Sequence, residues 1–131
     1  MTTTTFSFVR FKEGSAAIAA ERARMEESID PQALLAADGS VTIIDIRKAP
    51  DDAQIPGSLR YDGEALADTA LPPFARDATI VLYCGSGNSC SRVAGVLRAR
   101  GYDARALDGG YKAWKEAGLP TEPIGAPLDL D

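Results

Sequence analysis

Short runs of strand-forming residues, each followed by a helix-forming stretch, constrain this chain more than any other feature. Val41-Thr42-Ile43-Ile44 is a compact β-branched run, and Thr79 to Tyr83 reads TIVLY. Ala104 to Leu107 makes a third, shorter run. Such runs mark strands buried on both faces. Between them lie helix signals. Asp30-Pro31 offers an N-cap followed by proline at the first helical position, leading into Gln32 to Ala37 and stopped at Asp38-Gly39. Asp62 to Asp68 is a weaker helix, closed off by Leu71-Pro72-Pro73; Cys90 to Arg100 ends at Gly101, and Tyr111 to Ala117 ends at Gly118. Asp45 to Gly57 reads as a loop and Ser58 to Tyr61 as a small edge strand. Strands that alternate with helices predict an α/β domain, with a parallel sheet covered by helices on both faces.

Residues 1–28 stand apart as an N-terminal extension. Phe6, Phe8 and Phe11 suggest a strand or packing arm, and Ser15 to Ser28 is an alanine-rich helix whose apolar positions are small. The chain has 131 residues, room for one core that buries roughly two-thirds of its surface without metal or disulfide staples. It contains no histidine and two cysteines. That excludes a Ser-His-Asp triad, a Cys-His dyad, imidazole metal ligation and an all-cysteine zinc site. The net charge of −5 argues against duplex nucleic acid as the main partner. Met1 to Thr5 reads as no signal peptide, and no apolar run approaches the roughly 20 residues of a membrane helix. A reducing cytoplasm is therefore expected, with Cys84 and Cys90 as free thiols.

Cys84 follows a buried strand and opens the segment Cys84-Gly85-Ser86-Gly87-Asn88-Ser89-Cys90. In parallel α/β sheets, ligands bind beyond the carboxyl ends of the strands. A loop of Gly, Ser and Asn can curl so that successive N–H groups point inward, and the next helix adds the positive end of its dipole. A thiol held there is acidified without histidine. At a pKa near 8.5 about 3% is thiolate at pH 7; two units lower, the fraction is roughly three-quarters. The plainer alternative is a small buried hydrophobe above an ordinary glycine turn.

Two longer stretches bear on that choice. VTIIDIRKAPDDAQIPGSL and IVLYCGSGNSCSRVAGVLRARGYDARALDGGYKAW resemble the two signatures of the rhodanese family, in order and at the usual spacing. With Gly118-Leu119-Pro120 the resemblance spans residues 29–120, leaving 121–131 as a C-terminal tail. It implies a three-layer domain with a five-stranded, mostly parallel sheet. It also implies sulfurtransferase chemistry that needs no cofactor and no metal. Cys84 falls on the family's nucleophile, which becomes a persulfide. Gly85, Ser86, Gly87, Asn88 and Ser89 fall on the substrate-binding loop. The implied partners are a small anionic sulfur donor (thiosulfate, mercaptopyruvate or a protein persulfide) and a thiol or cyanide acceptor. An alternative within the family is a sulfur-relay or regulatory module that acts mainly through a protein partner.

Departures from the family pattern refine this reading. Relatives that act on phosphate or arsenate close a longer loop with arginine, whereas the position six after Cys84 is Cys90 and Arg92 lies two further on. The resemblance therefore speaks against phosphatase activity. Asp45 and Arg47 match the Asp-x-Arg pair that supports the active-site wall, against the plainer reading of a surface ion pair. Gln54 replaces a histidine that is structural in the family. Cys90 is read as a small core residue facing the sheet, with a resolving thiol for Cys84 as the sharper alternative. Arg92, Arg98 and Arg100 read as solvated charge, Arg92 being nearest the loop. Trp114 reads as core, and Asp108-Gly109-Gly110 as a turn beside the active loop.

Overall fold

A computed structural model of the chain describes residues 27–37, 39–69, 72–128 and 130. The extension read at Phe6, Phe8 and Phe11, most of the helix read at Ser15 to Ser28, and the stop residues Asp38 and Leu71 lie outside the described residues. In chain order the elements are β1 (Ser28–Ile29), α1 (Pro31–Ala36), β2 (Thr42–Asp45), β3 (Ala53–Gln54), β4 (Leu59–Arg60), α2 (Gly63–Asp68), β5 (Thr79–Tyr83), α3 (Asn88–Ala99), β6 (Asp103–Leu107), α4 (Gly110–Glu116) and β7 (Glu122–Pro123). Five strands form one sheet in the order β1-β6-β5-β2-β4, every pair parallel, while β3 and β7 make a separate antiparallel pair.

The side chains of β5 show why the sheet is covered on both faces. Ile80 and Leu82 pack with Leu66 of α2 and with Val93 and Leu97 of α3. Val81 and Tyr83, pointing the other way, pack with Leu34 of α1 and with Tyr111 and Trp114 of α4. Successive side chains from Ile80 to Tyr83 are buried on alternate faces, which calls for a near-continuous hydrophobic run, and the two hydroxyls of TIVLY, on Thr79 and Tyr83, are hydrogen-bonded. Both short helices begin on aspartate caps: Asp30 Oδ1 accepts from Ala33 N at 2.7 Å, and Asp62 Oδ2 accepts from Ala65 N at 3.0 Å.

Several boundaries differ from the sequence reading. Ser28 is in β1, not helix, so the end of the extension forms an edge of the sheet beside β6. The loop read from Asp45 to Gly57 contains β3. Asn88 and Ser89, read as loop, are the first residues of α3. The segment after residue 120 is bound to the domain: Gln54 Nε2 donates to Glu122 Oε2 at 2.7 Å and Gln54 Oε1 accepts from Gly125 N at 3.0 Å. Gln54 is thus a buried clasp for the C-terminal segment. Trp114 is core as read, its indole N–H donating to Pro120 O at 2.8 Å.

In the parallel register Asp45 sits opposite Tyr83, and Ile46 N donates to Tyr83 O at 2.9 Å. The residues that leave β2 and β5 therefore emerge side by side. The buried Tyr83 hydroxyl fixes the far side of this edge, 2.8 Å from Ser58 Oγ and accepting from Ile55 N at 3.2 Å. Tyr83→Phe strands the Ile55 N–H. It is expected to cost about 1–3 kcal/mol, seen as a lower urea midpoint at constant m-value; an unchanged midpoint would contradict the assignment.

Candidate active site

Cys84 is the first residue beyond β5 and is 7% exposed. After it the chain turns through Gly85 and Ser86 to Gly87, whose φ of +104° lies in the left-handed region that glycine adopts without strain. No side chain caps α3, so its first amides are available to other acceptors. Gly87 N donates to Cys84 Sγ at 3.1 Å.

Two bonds from α4 fix the turn. Tyr111 N donates to Cys84 O at 2.8 Å, and Lys112 N donates to Gly85 O at 3.0 Å. Helix N-terminal amides have no partner inside their own helix, so they capture these loop carbonyls. With the carbonyls turned towards α4, the amides that follow face the sulfur. The approach is so close that Gly110, at φ +63°, admits no side chain: a Cβ there would lie 2.6 Å from Cys84 O and 2.8 Å from Gly85 O. Asp108-Gly109-Gly110 is the turn beside the loop that the sequence indicated.

The thiol responds to this setting. Its pKa is about 5, well below the ordinary value. The Cys90 S–H donates to it, burial opposes the shift, and the backbone amides of Cys90, Gly87 and Ser86 add to the lowering. At pH 7 a group with that pKa is about 99% thiolate. Cys90 is fully buried in the core, as its plainer reading had it. Its pKa is pushed up, because its S–H is held by the Cys84 sulfur and because burial disfavours a second charge. Cys90 Sγ also lies 3.4 Å from Gly87 O, and ionisation of Cys84 makes the charged sulfur the stronger acceptor.

A cavity of about 320 Å³ opens over Cys84, walled by Gly85 and Ser86 of the turn, by Ser89 and Arg92 of α3, by Arg47 and Lys48 after β2, and by Glu64. Gly87 contributes its amide to the sulfur, and Asn88 starts α3 away from the cavity wall. Asp45 and Arg47 are not a surface pair: their side chains are 0% and 5% exposed. Arg47 Nη2 donates to Asp45 Oδ2 at 2.7 Å and to Ala53 O at 2.7 Å, while Nε donates to both Asp45 oxygens at 3.0 and 3.1 Å. The guanidinium lies 4.0 Å from the Tyr111 ring centroid, which joins the end of β2 to α4. Burial works against its charge, but the bonds and charge of Asp45 outweigh this and hold it above the ordinary arginine value. Arg92 reaches the cavity and bonds Glu64 at 2.6 Å, whereas Arg98 and Arg100 are occupied elsewhere, by Ala104 O and Thr69 O. Lys48 and Glu64 escaped the sequence reading. Lys48 carried a signal, since it directly follows Arg47 where the chain leaves the strand's carboxyl end.

Fold and site together define a parallel α/β domain built around an acidified cysteine in an amide-lined turn. The model of the Rhodanese-like domain matches residues 30–117, and the chain belongs to that family. The protein slr1261 of Synechocystis is 33% identical over 103 residues, 70% of this chain and 52% of slr1261, so this chain spans about half of that relative's length. The thiosulfate sulfurtransferase GlpE of Ectopseudomonas mendocina is 33% identical over 91 residues, covering 67% of this chain and 81% of GlpE. Among solved structures, the rhodanese-like domain of Alr3790 from Anabaena superposes with a TM-score of 0.66 at 27% identity, over 80% of this chain and 87% of that domain.

Two substitutions test the construction of the site. Gly110→Ala should lower stability by about 1–3 kcal/mol and slow iodoacetamide alkylation of Cys84 at neutral pH, because the clamped turn must open. Cys90→Ala should raise the pH at which Cys84 becomes reactive. Wild-type reactivity in both variants would contradict the geometry.

Proposed function

We propose that this protein is a sulfurtransferase that carries sulfane sulfur on Cys84. The observation that supports this most is a cysteine whose pKa is about 5, held by loop amides at the floor of a cavity that also presents Lys48 and Arg92. The thiolate attacks the outer sulfur of an anionic donor. An S–S bond forms on Cys84, and the donor's own bond to that sulfur breaks, its electron pair leaving with sulfite when the donor is thiosulfate. A thiol or cyanide then takes the outer sulfur and returns Cys84 as thiolate. No step needs a histidine: the attacking group is already ionised, and sulfite leaves without protonation.

In this reading the loop from Gly85 to Ser89 binds the donor and the persulfide, with Asp45 and Arg47 as the rigid wall behind it. Thiosulfate is the first donor to test, since the GlpE relative is named for it, with mercaptopyruvate and a protein persulfide as the other donors. Two neighbouring thiols suit a reducing compartment such as the cytoplasm. Intact mass after incubation with each donor is the test. Wild type should gain about 32 Da, one sulfur atom, reversed by cyanide, and Cys84→Ser should gain nothing. No gain from any donor, with Cys84 still alkylating at neutral pH, would overturn the proposal.

A further inference from the structure

A second cavity, also of about 320 Å³, adjoins the one over Cys84 and shares Ile46, Arg47 and Lys48 with it. Its outer wall comes from Arg60, Tyr61 and Pro127. Proposed donors as small as thiosulfate react in the first cavity and leave this one empty of purpose.

The charges around it do not balance within the chain. Asp45 is held by Arg47 through three hydrogen bonds from the guanidinium and one from the backbone N–H. Arg60 Nε approaches the same carboxylate only to 3.5 Å; the nitrogen is buried and makes no hydrogen bond. Two guanidinium groups thus share one buried carboxylate. Asp51 is divided between Arg47 and Lys115. Asp62, also on the wall, has an oxygen committed to capping α2. Lys48 is exposed and makes no ion pair or hydrogen bond with another described residue. The surplus is one positive charge, carried by Lys48 and Arg60 on the wall of a cavity that opens beside the reactive sulfur. A buried N–H without a partner is costly and marks a place where a ligand or water completes the bonding. Guanidinium and ammonium groups together suit a carboxylate, and a single surplus charge suits a monoanion.

We infer that the second cavity is a subsite for the carboxylate of an extended sulfur donor or acceptor, with Lys48 and Arg60 as its ligands and the sulfur end lying over Cys84. The inference rests on the sulfurtransferase reading and names a substrate class for it: a thiol, or its persulfide, that bears a carboxylate several bonds from the sulfur. With the persulfide as donor, the Cys84 thiolate bonds to the outer sulfur and the electron pair of the broken S–S bond leaves on the donor's inner sulfur as a thiolate. With the thiol as acceptor, the same exchange runs in reverse. Lys48, common to both cavities, ties the anchored end to the reacting end.

The test uses an unreactive probe, so that it does not depend on turnover. S-Methylglutathione is added to the protein during iodoacetamide alkylation of Cys84, and each protein is compared with its own unprotected rate. The free acid should protect wild type, and its dimethyl ester should protect roughly three- to tenfold less well. Lys48→Met should show the same loss, and Lys48→Glu a larger one; both changes are at an exposed position and leave the core intact. Arg60→Lys, which keeps the charge but removes the fork, should lie between wild type and Lys48→Met. Equal protection by acid and ester, no protection by either, or protection that survives Lys48→Glu would overturn the subsite. If the acid protects as expected while wild-type Cys84 accepts sulfur from no donor, the subsite stands and the sulfurtransferase reading falls.

Discussion

The site depends on two hydrogen bonds. The amides of Tyr111 and Lys112, at the free end of α4, hold the carbonyls of Cys84 and Gly85. Everything polar about the loop follows from that commitment. Carbonyls pulled to one side leave N–H groups on the other, and the Cys84 sulfur is what those groups face. Glycine at 110 is required because the two backbones lie too close for a Cβ. The acidity of Cys84 therefore comes first from the Cys90 S–H and then from the amides that the docking of α4 against the end of β5 sets in place, and not from any nearby base. A chain without histidine can ionise a thiol because a neighbouring S–H and backbone dipoles, set in place by folding, stabilise the anion without taking up its proton.

The same docking explains the ion pair. Asp45 and Arg47 leave β2 in register with Tyr83 at the end of β5, so a buried guanidinium is delivered to the edge of the cavity and laid against the Tyr111 ring. Removing either charge alone would leave the other buried with only a more distant partner, Arg60 for Asp45 and Asp51 for Arg47, which makes the pair a rigid wall more than a source of net stability. Tyr83 and Gln54 extend the support outward. One ties Ile55 and Ser58 to the sheet; the other clasps the C-terminal segment at Glu122 and Gly125.

What could be read in advance was local. TIVLY is legible as a strand because its side chains from Ile80 to Tyr83 are buried on alternate faces, and its bounds in the structure are those of the sequence reading. Asp30-Pro31 announces α1 through its own cap chemistry. Cys84 and its glycine turn were legible for the same reason, being contiguous. The missed features depend on distant partners. β3 and β7 are two residues each and exist only through pairing with each other, and no pattern in so short a piece reveals that. The start of α3 at Asn88 is set by Gly87 in the left-handed region, which moved the end of the loop back from Ser89. Lys48 and Arg60 lie on separate segments and become neighbours of one cavity only when β2 and β4 align in the sheet.

The central claim is that the amide-lined turn, together with the Cys90 thiol, makes Cys84 an anion at neutral pH. A pH titration of thiolate ultraviolet absorbance, wild type minus Cys84→Ser, measures it directly. A lowered pKa means that the thiolate signal appears as pH rises through the folded value and is complete well before an ordinary thiol begins to ionise. The expected midpoint is near pH 5. A midpoint in the ordinary thiol range, at about pH 8–9, would show that the loop does not stabilise the anion and would contradict the account at its base.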